Sequence, residues 1–200
     1  PGTYYVYATA SGYASARKNR ISVQNNQTTD VPVALTVGEQ ISGRITDTSG
    51  APVSGVQVYV YGQSLGYYSW WGNSYTTDGN GQYAIKNLPA GKYTVSVYSA
   101  DYVRTSRWGV QAPSSGADFV LTRGGQISGT VMAPDRSGVS GVSVYCYADP
   151  WQDGGWGWTM TGSGGAYTMP RLPAGTYVVR TSLSYYGMGG EAASEAVAVT

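Results

Sequence analysis

Two hundred residues with 42% apolar side chains suffice for two ordinary domains or one large all-β domain, and are too apolar for a disordered chain. Net charge is only +1, with acids and bases scattered, so there is no electrostatic case for nucleic acid or an anionic membrane surface. The chain has no histidine, which removes the commonest general base and metal ligand, and its single cysteine, Cys146, cannot close an internal disulfide.

Taken in chain order, the sequence opens at Pro1-Gly2-Thr3-Tyr4 without a signal-type segment, so any targeting segment has been removed or lies outside this sequence. No apolar run approaches the ~20 residues needed to span a bilayer. Residues 1–38 hold a tyrosine-rich strand with Tyr5 and Tyr7 outward, then Ile21-Ser22-Val23, then Val31-Pro32-Val33-Ala34-Leu35. Asn26-Gln27-Thr28 between them has the form of an N-glycosylation sequon in a polar loop. The next strand carries Ile41-Ser42-Gly43, followed by the turn Asp47-Thr48-Ser49-Gly50. In Val56–Tyr61, valines 56, 58 and 60 alternate with Gln57, Tyr59 and Tyr61, the period of a strand with one face in the core.

An aromatic-rich insertion interrupts this pattern over residues 62–75. The turn Asp78-Gly79-Asn80-Gly81 reads as a hairpin turn and not a calcium loop, because its counterpart Gly162-Ser163-Gly164-Gly165 has no carboxylate. Leu88-Pro89-Ala90-Gly91 then leads into a strand with Tyr93, Val95 and Val97 inward and Tyr98 outward, and Asp118-Phe119-Val120-Leu121 closes the set. The series then starts again. Gln40-Ile41-Ser42-Gly43 returns as Gln126-Ile127-Ser128-Gly129, and Val53-Ser54-Gly55-Val56 as Val139-Ser140-Gly141-Val142, both 86 positions later. Leu88-Pro89-Ala90-Gly91 returns as Leu172-Pro173-Ala174-Gly175, and Val142, Val144 and Cys146 repeat the inward row, with Tyr145 and Tyr147 outward. An inward thiol acts as a small inert hydrophobe. Markers returning in one order at spacings of 84 to 86 residues define a repeat.

The order I-S-G, G-V-x-V, T-D-x-x-G-x-Y and L-P-A-G-x-Y resembles the carboxypeptidase regulatory-like repeat, a prealbumin-like sandwich, and is similar to the B-type stalk repeats of bacterial collagen adhesins. It covers residues 39–124 fully, 125–200 nearly so, and 1–38 as the rear half of a further repeat. The resemblance implies an all-β fold: tandem Ig-like Greek-key β-sandwich repeats of about 85 residues and about seven strands each. It also implies extracellular stalks, accessory modules of secreted enzymes, and a fold often labelled carbohydrate-binding-like. Adhesin stalks raise the question of an internal Lys–Asn isopeptide bond. Such a bond needs a lysine on the first strand, and Lys18, Lys86 and Lys92 all lie elsewhere, so none is expected. The domain reading is 1–38 as the C-terminal half of a sandwich, 39–124 as a complete one, and 125–200 as one lacking its last strand. Either the sequence is a segment of a longer chain, or neighbouring chains complete each other by donating strands.

No catalytic, cofactor or metal site is expected. Low charge with abundant Ser, Thr, Gly and Tyr points to an extracellular or cell-surface protein, and the near absence of cysteine points to a prokaryote. Five of six tryptophans fall in two glycine-rich segments at the same place in both repeats, and the expected contact residues are Tyr67, Tyr68, Trp70, Trp71, Trp151, Trp156 and Trp158. Beside Gly, Asn, Asp and Gln they suit a protein interface, a sugar face, or the junction between repeats. The expected role is a non-catalytic stalk or filament subunit that contacts its own copies or other surface proteins. A polysaccharide-binding accessory module is the alternative.

Overall fold

Alternating valine and tyrosine produce strands along the whole chain. The computed structural model describes residues 1–62, 74–182, 191–193 and 197–199. All regular structure among them is β, apart from one 3-10 turn at Ser163–Gly165. The chain divides into two compact units, one of Pro1–Val97 with Ser106–Val120 and the other of Tyr98–Thr105 with Leu121–Thr200.

The first unit opens with an antiparallel hairpin, β1 (Gly2–Ala8) and β2 (Ala16–Val23), which among the described residues pair only with each other. Seven strands follow: β3 (Glu39–Asp47), β4 (Gln57–Tyr61), β5 (Ser74–Thr76), β6 (Gln82–Leu88), β7 (Gly91–Tyr98), β8 (Thr105–Ala112) and β9 (Phe119–Leu121). They form a three-stranded sheet, β6-β3-β9, and a four-stranded sheet, β5-β4-β7-β8, the two leaves of a β-sandwich. The inward rows read from the sequence are buried: Val56, Val58 and Val60 on one strand, Tyr93, Val95 and Val97 on the next. Ile41, Ile45, Ile85, Leu88, Phe119 and Leu121 complete the core. Each such side chain contributes about 1.5–3 kcal/mol by leaving water.

The second unit repeats the plan with β10 (Gly125–Thr130), β11 (Ser143–Ala148), β12 (Trp156–Met160), β13 (Ala166–Leu172), β14 (Gly175–Ser182), β15 (Glu191–Ala193) and β16 (Val197–Val199). Here β10 pairs with β13, while the other sheet runs β12-β11-β14, with β15 and β16 both on the far side of β14. Its core is Ile127, Val144, Cys146, Met169, Leu172 and Tyr177.

The shared motifs do the same physical work in both units. Thr77 is buried, donates its hydroxyl to Val53 O (2.8 Å) and accepts from Val56 N–H (3.0 Å). Thr161 makes the same two bonds with Val139 O (2.7 Å) and Val142 N–H (2.9 Å). The tyrosine of each L-P-A-G-x-Y donates its hydroxyl back to the motif's proline carbonyl, Tyr93 to Pro89 O (2.6 Å) and Tyr177 to Pro173 O (2.7 Å). Asp47 and Asp135 each hold a turn by accepting from the amide and hydroxyl of the serine two residues on. These bonds explain why the motifs recur: each satisfies buried or turn polar groups that a sandwich cannot leave bare.

Candidate contact surface

On β11 the inward row is Val144 and Cys146, so Tyr145 and Tyr147 face outward and are half-exposed. The neighbouring β12 sets Trp158 opposite Tyr145 and Trp156 opposite Tyr147. On the other side β14 sets Arg180 opposite Tyr145, with its guanidinium 5.5 Å from the Tyr147 ring centre. Trp156 and Trp158 remain 59% and 54% exposed, so the sheet presents an aromatic ladder to solvent.

Gly157 is what turns both tryptophans out. It faces the core, where a Cβ would stand 3.2 Å from Cys146 Sγ and 3.3 Å from Leu172 Cδ2. Trp-Gly-Trp is therefore strand alternation whose inward member has no side chain. The glycine-rich tryptophan segment becomes a strand at Trp156, because an absent inward side chain hides the period of two.

Trp151, 68% exposed, sits on the turn leading into β12. The turn is pinned by Gln152, whose side-chain amide donates to Ala174 O (3.1 Å). A cleft of about 240 Å³ opens beside it, lined by Trp151, Trp156 and Trp158 together with Tyr98, Tyr102 and Arg104. Asp153 and Arg171 add charge to its lining. Arg104 lies 4.8 Å from the Tyr98 ring centre, and Arg171 Nη1 donates to Ser99 O (3.0 Å), which holds the segment 98–105 in place. Aromatic walls beside fixed charges suit binding of flat, partly polar groups.

Of the seven sequence-derived contact residues, the structure brings Trp151, Trp156 and Trp158 together at this cleft. Tyr67, Tyr68, Trp70 and Trp71 lie outside the described residues. In the first unit the outward Tyr59 and Tyr61 rings stack at 6.5 Å. The sequence reading missed Trp108, 76% exposed on β8, whose only signal is a tryptophan preceded by arginine and followed by glycine. Tyr5 and Tyr7 are exposed on the hairpin, where Arg17 stands 4.5 Å from the Tyr5 ring centre.

Asp78 and Cys146 are otherwise engaged. Asp78 Oδ1 accepts from the amides of Asn80 (2.9 Å) and Gln82 (2.8 Å), which makes its loop a hairpin turn. Burial pushes the Cys146 thiol up to about 11. Among the described residues no group of three His, Cys, Asp or Glu side chains could hold a metal ion. No helix among them is long and apolar enough to cross a membrane.

No curated protein matches the sequence. Among solved structures, the chain is similar to the Bacillus anthracis TIE protein at 16% identity, covering 93% of this chain and 34% of that one, with a TM-score of 0.35. It is similar to a type II cohesin–X-dockerin complex of Acetivibrio cellulolyticus at 25% identity, covering 43% and 58%, TM-score 0.33. A minor pilin of Streptococcus agalactiae gives 15% identity, 81% and 90%, TM-score 0.35. The chain spans about a third of the first of these and 58% of the second, and TM-scores this low carry no inference about its function. The family model of the carboxypeptidase regulatory-like domain matches residues 40–122, the span of β3 to β9. Over those residues the chain is similar to that domain.

Proposed function

We propose that this chain is a non-catalytic structural or adhesive protein of the bacterial cell surface or extracellular space. In this reading 1–38 is the rear half of a sandwich repeat, 39–124 a complete repeat and 125–200 a repeat without its last strand. Aromatic surfaces contact copies of the chain or other surface proteins. The observation that carries the reading is the ladder of Trp156 and Trp158 over Tyr147 and Tyr145, more than half exposed on a regular strand. A tryptophan removes roughly 150–250 Å² from water when covered, so two side by side favour a partner strongly. The carboxylates of Asp47, Asp78 and Asp135 serve turns, and the one thiol is buried, which supports a role without catalysis. Electron microscopy of the full chain is expected to show assemblies that a Trp156→Ala, Trp158→Ala double variant does not form. Single particles in both preparations at high concentration would reject the reading.

A second reading is favoured by the cleft itself, where Arg104, Asp153 and Arg171 stand beside the tryptophans. Such a site suits a polysaccharide, with pyranose faces on the rings and hydroxyls on the charged groups. Affinity electrophoresis on a polysaccharide panel tests it. Retardation lost in Trp156→Ala supports it, and no retardation on any glycan removes it.

A further inference from the structure

The cleft beside Trp151 carries more positive than negative charge. Its whole lining belongs to the second unit, and two arginines, Arg104 and Arg171, face one carboxylate there, Asp153. Both arginines are exposed, and among the described residues neither is neutralised by an ion pair with a carboxylate. A third arginine, Arg123, stands 5.3 Å from the ring centre of Tyr102, the buried tyrosine of the lining. The chain as a whole has a net charge of only +1, so any attraction for an anion is local to this place.

The two lining arginines are held and not left on loose arms. Arg104 lies against the Tyr98 ring, and one nitrogen of Arg171 is spent on Ser99 O. A guanidinium fixed in this way presents its remaining N–H groups as a planar fork, the shape that a carboxylate or a sulfate accepts.

Arg171 also occupies a backbone position that its residue type does not favour. Its φ is 65°, in the left-handed region, and the equivalent residue of the first repeat is Asn87, with a φ of 62°. One close crossing of backbones sets both. A Cβ on Gly38 would stand 2.5 Å from Asn87 Cα, and a Cβ on Gly124 would stand 2.4 Å from Arg171 Cα. Asparagine tolerates this region far better than a long side chain does. The second repeat therefore keeps local strain that an asparagine would relieve, and what the position gains is a guanidinium at the cleft.

The rings define what accompanies the charge. Trp151, Trp156 and Trp158 are each more than half exposed, and their flat faces suit the apolar side of a pyranose. A neutral sugar would need only hydrogen bonds to its hydroxyls, whereas two fixed arginines against one carboxylate favour a sugar that carries an anionic group. We propose that the cleft binds an acidic polysaccharide, with pyranose faces on the exposed tryptophans and a carboxylate or sulfate on Arg104 and Arg171. Asp153 accepts from sugar hydroxyls. This rests on the polysaccharide reading given above and names its ligand class.

Titration calorimetry on the full chain tests it with two matched pairs of ligands. Oligogalacturonate is set beside its full methyl ester, and sulfated dextran beside plain dextran, so each pair differs in charge on one backbone. The acidic member of at least one pair is expected to bind at least about tenfold more tightly at low salt. The pair that shows the preference tells carboxylate from sulfate. At about 1 M salt, where the screening length is about 3 Å, most of the preference should vanish. Arg104→Gln and Arg171→Asn should each remove most of it at low salt, and Arg104→Gln should still bind the neutral member as the wild type does. Trp156→Ala should weaken both members of the pair. If Arg171→Asn does not fold, Arg104→Gln decides. Equal binding of charged and neutral ligands would overturn the acidic preference and leave the polysaccharide reading standing. A preference that survives both arginine substitutions would overturn the assignment to this cleft. No binding of any of the four ligands would reject the proposal together with the reading beneath it.

Discussion

Strands β1 and β7 carry nearly the same motif, yet one is bare and the other is the centre of a core. Both begin at a glycine and continue to a tyrosine and a valine two residues apart: Tyr4 and Val6 in β1, Tyr93 and Val95 in β7. Tyr93 is 1% exposed and Tyr4 is 53% exposed. The difference lies in the neighbours. Strand β7 runs between β4 and β8 in a sheet that has a second leaf over its inner face, whereas among the described residues β1 pairs with β2 alone. Alternation makes a strand in either place; burial needs the opposing sheet.

The largest effect that could break this comparison is truncation at the two tyrosines. Tyr93→Ala should cost about 3–5 kcal/mol in urea unfolding, and Tyr4→Ala less than about 1 kcal/mol. Similar costs at both positions would mean that β1 is covered after all. Next in size are the buried threonines: Thr77→Val and Thr161→Val each leave a backbone amide and carbonyl without their partner, at about 1–3 kcal/mol apiece. Unequal losses would show that the two units do not share one frame. Removing only the hydroxyl, in Tyr93→Phe and Tyr177→Phe, should cost about 1 kcal/mol each. On the outer ladder, Trp158→Ala should change stability by roughly 0.2–1 kcal/mol, the worth of a cross-strand pair, so the tryptophan acts chiefly on partners.

The smallest effect is at Cys146. Burial favours the neutral thiol, so its contribution to stability is complete below the ordinary value of 9.0 and is lost as pH rises through about 11. Iodoacetamide should leave it unlabelled at pH 8 in the folded chain. Rapid labelling there would place the thiol outside the core.

The repeat, the inward rows and the turns were legible because each leaves a mark in residue type: valine at every second position, aspartate where a turn amide needs an acceptor, glycine where backbones meet. Trp156 and Trp158 were legible as surface residues but not as strand residues, since Gly157 removes the inward mark. Trp108 escaped because a single exposed tryptophan on a strand breaks no pattern. The grouping of Tyr98–Thr105 with the second unit was not legible either, because that segment is held by ring contacts and the bond from Arg171 to Ser99 O, partners 72 residues apart in the chain.

Sedimentation velocity over a concentration series, with the wild type beside the Trp156→Ala, Trp158→Ala variant, tests the contact role of the aromatic ladder most directly. The expected result is association in the wild type that weakens sharply in the variant, while the two unfold in urea at nearly the same midpoint. Equal association in both, or none in either, would contradict it.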